Sequence, residues 1–166
     1  MLVLRLVHIF AGVFWAGSGF FLISFLQPVV KESGPEGGKV MQRLAASRFS
    51  TALPAVAVLT VLSGLVLYWL DSGGLQPEII MTGPGLGFAF GGIAGLLALV
   101  IGLVVNMPVT KSLAAISREL TASGNPPSSE QMTKIQAMQT RMATGALWNT
   151  ILLALAVAAM AVARYL

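Results

Sequence analysis

The sequence predicts an all-α fold, a polytopic four-helix bundle embedded in a membrane, and three observations predict it. Of 166 residues, 56% are hydrophobic and only 10% charged, with a mean hydropathy of +0.85. That is too few charges to clothe a water-facing surface. Four apolar stretches each reach about the 20 residues needed to cross a hydrocarbon core. The basic residues gather in alternate connections between those stretches. Four spans and three connections account for residues 1–166 as a single transmembrane domain.

The first span is expected from Leu6 to Leu26, with Gln27-Pro28 at its inner end, because proline lacks an amide and kinks or closes a helix. Its apolar run is too long for the core of a signal peptide, so it is read as a span. A loop is expected at Ser33-Gly34-Pro35-Glu36-Gly37-Gly38. From Lys39 to Ser50 the spacing is helical, with Lys39, Arg43 and Arg48 among apolar residues, which predicts a helical lead-in to the second span. That span runs from Thr51 to Leu70. Pro54 suggests a bend in it, Tyr68 and Trp69 suit a headgroup zone, and Asp71-Ser72-Gly73-Gly74 stops it.

The connection from Asp71 to Gly83 holds Asp71 and Glu78 and no Lys or Arg. The third span is expected from Gly85 to Val105, ended or bent by Asn106-Met107-Pro108. Thr110 to Ala122 reads as its helical extension into water, and Ser123-Gly124-Asn125-Pro126-Pro127 breaks that extension. Ser128, with Gln131 three residues on, forms a capping box that opens a long helix. The second part of that helix, Gly145 to Ala163, is the fourth span.

Eight of the ten basic residues decide the expected orientation. Lys31, Lys39, Arg43 and Arg48 flank the first connection and Lys111, Arg118, Lys134 and Arg141 the third, leaving Arg5 and Arg164 elsewhere. The positive-inside rule makes those two connections cytoplasmic, with both termini outside and cytoplasmic helical extensions within; the expected location is a bacterial inner membrane. The net charge of +4 and pI near 10.0 are thereby assigned to topology, and no nucleic-acid partner is expected. Small residues predict how the helices meet. Gly83, Gly87, Gly91 and Gly95 clear one face of the third helix for a neighbouring helix, a second copy of the chain or another membrane subunit. Ala154, Ala158 and Ala161 are expected to give the fourth helix a similar face.

Chemistry is concentrated in one place. With no cysteine, thiolate metal sites and cysteine nucleophiles are excluded, and no carboxylate falls inside a span, so a carboxylate proton relay is not expected. No catalytic set is recognised. On the first helix, however, Arg5, His8, Gly12, Trp15 and Gly19 recur at steps of three and four and share one face. His8 is the only histidine. Neutral imidazole is an axial ligand for the metal of a macrocycle such as haem b; Gly12 would clear space for the ring, Trp15 would stack on it, and Arg5 would pair with a propionate. Met160, at a similar depth from the outer end, is the favoured second ligand, with Met81 the alternative. The competing readings are a His8 hydrogen-bonded at the interface, a gating or proton-transferring His8, and a Trp15 that fills packing space. Toward the inner end, Gln27, Arg48, Thr51, Asn106, Asn149 and Thr150 are read as interhelical hydrogen-bonding residues or the lining of a small hydrated pocket.

The segment VHIFAGVFWAGSGFF resembles the first helix of a group of small membrane proteins that includes the copper-resistance protein D domain, the HemJ-type protoporphyrinogen oxidases and predicted integral membrane proteins of unknown function. The shared features are a histidine near the start, at His8, then Trp15-Ala16-Gly17. RFSTALPAVAVLTVLSGLVLYW resembles their second helix, with a T-x-x-x-G-L pattern at Thr60, Gly64 and Leu65. The resemblance implies His8 as a ligand of b-type haem in electron transfer or haem-related metabolism. Further histidines and a third-helix lysine that it leads one to expect have no counterpart here. The alternative expectation is a non-catalytic accessory or structural subunit of a larger membrane complex.

Overall fold

Four helices, each long and apolar enough to cross a membrane, dominate the computed structural model, which describes residues 1–124 and 126–166 and, of Pro35, the backbone only. In chain order the helices are α1 (Leu2–Glu32), α2 (Gly34–Ala46), α3 (Phe49–Asp71), α4 (Pro77–Ile80), α5 (Gly83–Ser123) and α6 (Ser129–Ala163). Among the described residues there is no strand.

Two prolines expected to kink or close spans do not end their helices. α1 passes Pro28 and runs to Glu32, and α5 passes Pro108 and runs to Ser123. Each proline lies just beyond a single π-helical turn, at Leu22–Leu26 in α1 and Gly102–Asn106 in α5. The Gln27 amide donates to the Leu22 carbonyl and the Met107 amide to the Gly102 carbonyl, five residues back in both cases. A proline ring collides with the carbonyl four residues before it. Those carbonyls, of Ser24 and Val104, sit in the widened turns, so the helix absorbs the ring and continues.

The first connection is also tighter than the glycine-rich sequence suggests. Only Ser33 interrupts the helix, Gly34 takes φ +55, and α2 begins at once. The hairpin closes because Gly37 lies directly on the Val30 backbone, where a Cβ has no room. The helical lead-in ends at Ala46, short of the expected Ser50; Ser47 is extended (φ −83, ψ 173), and its hydroxyl accepts from the Phe49 amide at 3.2 Å. α2 is therefore a separate helix, tied to the α5 extension where Gln42 Nε2 donates to Ser117 Oγ.

Other boundaries follow local chemistry as expected. Gly73 and Gly74, at φ 61 and 84, turn the chain after α3. Gly124, at φ 65, closes α5 in the left-handed conformation that glycine adopts most readily. Asn125, within the predicted breaker, lies outside the described residues. The capping box at Ser128 and Gln131 is complete: the Gln131 amide donates to Ser128 Oγ at 3.2 Å and the Ser128 amide to Gln131 Oε1 at 2.9 Å.

The long helices form an antiparallel ring in which α1 packs on α3, α3 on α5, α5 on α6 and α6 back on α1. Each contributes one buried residue to the centre: Trp15, Ala57, Ala98 and Leu153. Large apolar side chains cover much of the exterior of the long helices. Phe10 is 71% exposed and Ile93 60%, whereas buried positions include Thr60 and Ser63. Apolar side chains facing outward fit helices whose solvent is a bilayer. The eight clustered basic residues lie together at the end of the bundle that carries α2 and the extensions of α5 and α6.

The small faces are used within the chain. A Cβ on Gly87 would lie 2.8 Å from the Ala163 Cβ, one on Gly91 2.8 Å from Met160 Cγ, and one on Gly83 2.6 Å from the Leu166 carbonyl carbon. Three rungs of the ladder therefore meet the chain's own α6 and C-terminal residue, while Gly95 is buried without a neighbour that close. On α6 the expected alanines are out of phase: Ala154, Ala158 and Ala161 are exposed, and Ala156 and Ala163 are the buried ones. Both faces of this helix are apolar, so composition does not reveal its rotation.

Candidate functional site

The shared face of α1 packs mainly against α3. At the end of the bundle that carries the N-terminus, Arg5 Nη2 lies 2.9 and 3.1 Å from the two carboxylate oxygens of Asp71, the last residue of α3. The side chains are 54% and 40% exposed, so this is an ion pair at the surface of the bundle. It occupies the guanidinium that was expected to meet a propionate.

One turn deeper, His8 is half-buried and faces Thr60, Ser63 and Gly64. Its Nδ1 is 2.8 Å from the Thr60 carbonyl oxygen and 3.2 Å from Ser63 Oγ. A carbonyl only accepts, so Nδ1 carries the hydrogen and, in the neutral ring, Nε2 carries the lone pair. Ser63 Oγ lies 2.6 and 3.0 Å from the Leu59 and Thr60 carbonyls, which share its single hydrogen, and this leaves a lone pair toward His8. Among the described residues Nε2 has no hydrogen-bond partner. Gly64 makes room for the ring: a Cβ there would stand 2.8 Å from His8 Cε1 and 3.2 Å from Nδ1.

The remaining positions are filled by protein. A Cβ on Gly12 would touch Thr60 Cγ2 at 3.5 Å, and Trp15 is 5% exposed at the centre of the bundle. Gly19 faces Thr150 Oγ1 and Leu153 on α6. Met160 sits against Gly91 in the α5/α6 interface, whereas His8 lies in the α1/α3 interface, so the structure does not bring the favoured second ligand to the histidine. Met81, in the turn after α4, is 71% exposed.

These placements test the fit of a macrocycle. The chain offers one ligand atom, His8 Nε2, with its ring fixed by the Nδ1 hydrogen bond, an arrangement that also orients metal-bound histidines. A flat ring along the Gly12 face requires α1 and α3 to separate, because the Thr60 methyl occupies that space. Among the described residues no group of three or more His, Asp or Glu side chains is placed to hold a metal ion. Thr60 and Gly64 were visible as a motif on the second helix; their partnership with His8, and the part of Ser63, emerge only when the hairpin closes.

The inner polar residues do not form one pocket. Asn149 Nδ2 donates to the Ala98 carbonyl at 2.7 Å, an interhelical bond across α5/α6. Thr150 Oγ1 bonds within its own helix to the Ala146 carbonyl at 3.0 Å. Asn106 Oδ1 is buried against Gly145 and has no hydrogen-bond partner among the described residues, and Gln27, Arg48 and Thr51 are exposed. No protein-family model, no curated protein and no solved structure matches the chain, so nothing links it to the copper-resistance protein D or HemJ-type proteins.

Proposed function

We propose that this chain is a non-catalytic accessory subunit of a larger complex in a bacterial inner membrane, with both termini outside and α2 and the extensions of α5 and α6 in the cytoplasm. The observation that carries the accessory reading is the occupation of the α1 face. Arg5 is paired with Asp71, His8 is anchored on Thr60 and Ser63, Gly12 abuts Thr60, and Trp15 is the centre of the core. The residues best suited to chemistry hold the bundle together. The orientation is supported by the eight basic residues gathered at one end.

A second reading, b-type haem or a related porphyrin held at His8 in electron transfer or haem-related metabolism, is favoured by one observation. The Nδ1–H to carbonyl bond leaves Nε2 as an unpartnered lone pair. In that case His8 supplies the ligand, Thr60 sets its tautomer, and α1 and α3 part to admit the ring.

A reduced-minus-oxidised spectrum of the full chain, purified with its membrane partners, separates the two readings. The accessory reading expects no haem band belonging to this subunit. A band that disappears in His8→Ala while the helical content is kept establishes the haem reading instead. Orientation is tested separately in this cysteine-free chain with Gln76→Cys and Thr121→Cys. A membrane-impermeant thiol reagent should label intact cells at position 76 only, and labelling at 121 alone reverses the topology.

A further inference from the structure

Where α5 and α6 leave the apolar core of the bundle, they enclose a groove of about 290 Å³. Its floor includes Val105 and Val109 of α5 and Met138 of α6; Ser112 of α5 and Lys134 and Arg141 of α6 complete it. Position on the chain gives the groove a depth. The apolar stretch of α5 ends near Val105, and that of α6 begins at Gly145, one turn beyond Arg141. The groove therefore straddles the boundary at which acyl chains give way to headgroups.

The rim is electrically one-sided. Lys134 and Arg141 are both exposed, and neither forms an ion pair among the described residues. No carboxylate lines the groove, and Glu130, one turn from Lys134 on the same helix, forms no ion pair with it. The two cations stand two helical turns apart, about 11 Å along α6. Across the groove, the Ser112 hydroxyl makes no hydrogen bond within the described residues and is free to donate. Two cations and a hydroxyl above an apolar floor match a phosphodiester with hydrocarbon attached. An anion without an apolar part would leave the Val and Met surface uncovered.

We propose that this groove binds an anionic phospholipid of the leaflet on the basic side, with its phosphodiester between Arg141, Lys134 and Ser112 and the start of an acyl chain on Val105, Val109 and Met138. The site depends on α5 and α6 spanning the membrane and is independent of what His8 does. Arg141, nearest the apolar core, takes the phosphate as a forked donor, and Lys134 adds a second positive charge farther out.

The test is lipid retention by the full chain in mild detergent, followed by native mass spectrometry with phosphatidylglycerol or phosphatidylcholine added at equal concentration. The wild type should retain phosphatidylglycerol in preference. A Lys134→Gln/Arg141→Gln variant should lose roughly tenfold or more of that preference, since each cation near an anionic lipid surface contributes about a factor of five. The comparison variant Lys111→Gln/Arg118→Gln removes the same charge from the same end outside the groove and should keep the preference. Equal retention of the two lipids, or an equal loss in both variants, overturns the proposal. Displacement of the lipid by inorganic phosphate at matched concentration also overturns it, by making the site one for simple anions. Circular dichroism of each variant establishes that the helices are intact.

Discussion

The α1/α3 and α5/α6 hairpins are neighbours in one bundle, yet their interfaces are built from different materials. α1 meets α3 through side chains that reach across: His8 to Thr60 and Ser63, and Arg5 to Asp71, with Gly64 accommodating the imidazole. α5 meets α6 mainly through side chains that are missing, as Gly87 lies against Ala163 and Gly91 against Met160. In lipid, apolar surface gains little from leaving its solvent, so helices associate by close packing or by polar contacts. One chain uses both. The packed interface has no room for added volume at Gly87 and Gly91, whereas the polar one has a preferred partner at each contact and is open to rescue.

The largest effect is expected where backbones approach most closely. Gly87→Leu should destabilise the bundle by about 3 kcal/mol or more, because even its Cβ would stand 2.8 Å from the Ala163 Cβ and 3.0 Å from its Cα. Gly92→Leu, on the same helix with nothing within 4 Å, should change stability by about 0.5 kcal/mol or less. Detergent-titrated unfolding followed by circular dichroism reads both. Equal costs would show that loss of glycine matters here and contact does not.

In the polar interface, Gly64→Ala should cost about 1–2 kcal/mol by pressing on the His8 ring. That cost should fall to about 0.5 kcal/mol or less in a His8→Ala background, where the ring is gone. An undiminished cost in the double variant would mean that Gly64 answers to something other than His8. A contrast with Gly87 follows: its obstruction is largely backbone and Cβ of Ala163, so no single side-chain truncation on α6 should restore a Gly87→Leu variant fully.

These differences explain what could be read along the chain and what could not. Caps and turns were legible at Ser128, Gln131, Gly73 and Gly124, because their geometry depends on residues a few positions apart. The face of α1 was legible because polar residues punctuate an apolar helix. The face of α6 was not: with apolar residues all round, Ala154 and Ala156 look alike in sequence, and only the position of α5 decides that Ala156 is buried. Pro28 and Pro108 could be read as ends or as bends, because a π turn has no signature in hydropathy. Thr60 and Gly64 stood out as a pattern, but the hydrogen bond from His8 to Thr60 joins residues 52 apart and needs the closed hairpin. The ligand set proposed around His8 placed Met160 by depth alone. Depth does not specify which side of a helix a residue occupies, and Met160 faces α5.

The α5/α6 interface has one strong polar contact, and it tests how far small-residue packing suffices. Asn149 donates to the Ala98 carbonyl at 2.7 Å. Replacing it by leucine should cost about 0.5–1.5 kcal/mol, the range for interhelical hydrogen bonds in membranes. A cost near that of Gly87→Leu would make the second hairpin, like the first, dependent on a side-chain bridge. The same unfolding measurement decides it.

The smallest effect among the interhelical contacts belongs to the most conspicuous one, the ion pair that joins α1 and α3 near the N-terminus. Arg5 and Asp71 are close enough for a strong interaction, at 2.9 and 3.1 Å, but their side chains are 54% and 40% exposed. Water and salt screen such a pair, and ordering two side chains offsets much of the Coulomb gain. Arg5→Gln or Asp71→Asn should therefore cost about 0.5 kcal/mol, less at high salt, and the double variant should cost little more than either single one. The His8 contacts lie one turn deeper, where screening is weaker and the carbonyl of Thr60 has little water to turn to. If the ion pair instead cost as much as Gly64→Ala, the Arg5 end of the hairpin would be the anchor and the imidazole only an accompaniment. The sign of the salt dependence separates the cases, since a screened pair loses its contribution as salt rises and a hydrogen bond between neutral groups does not.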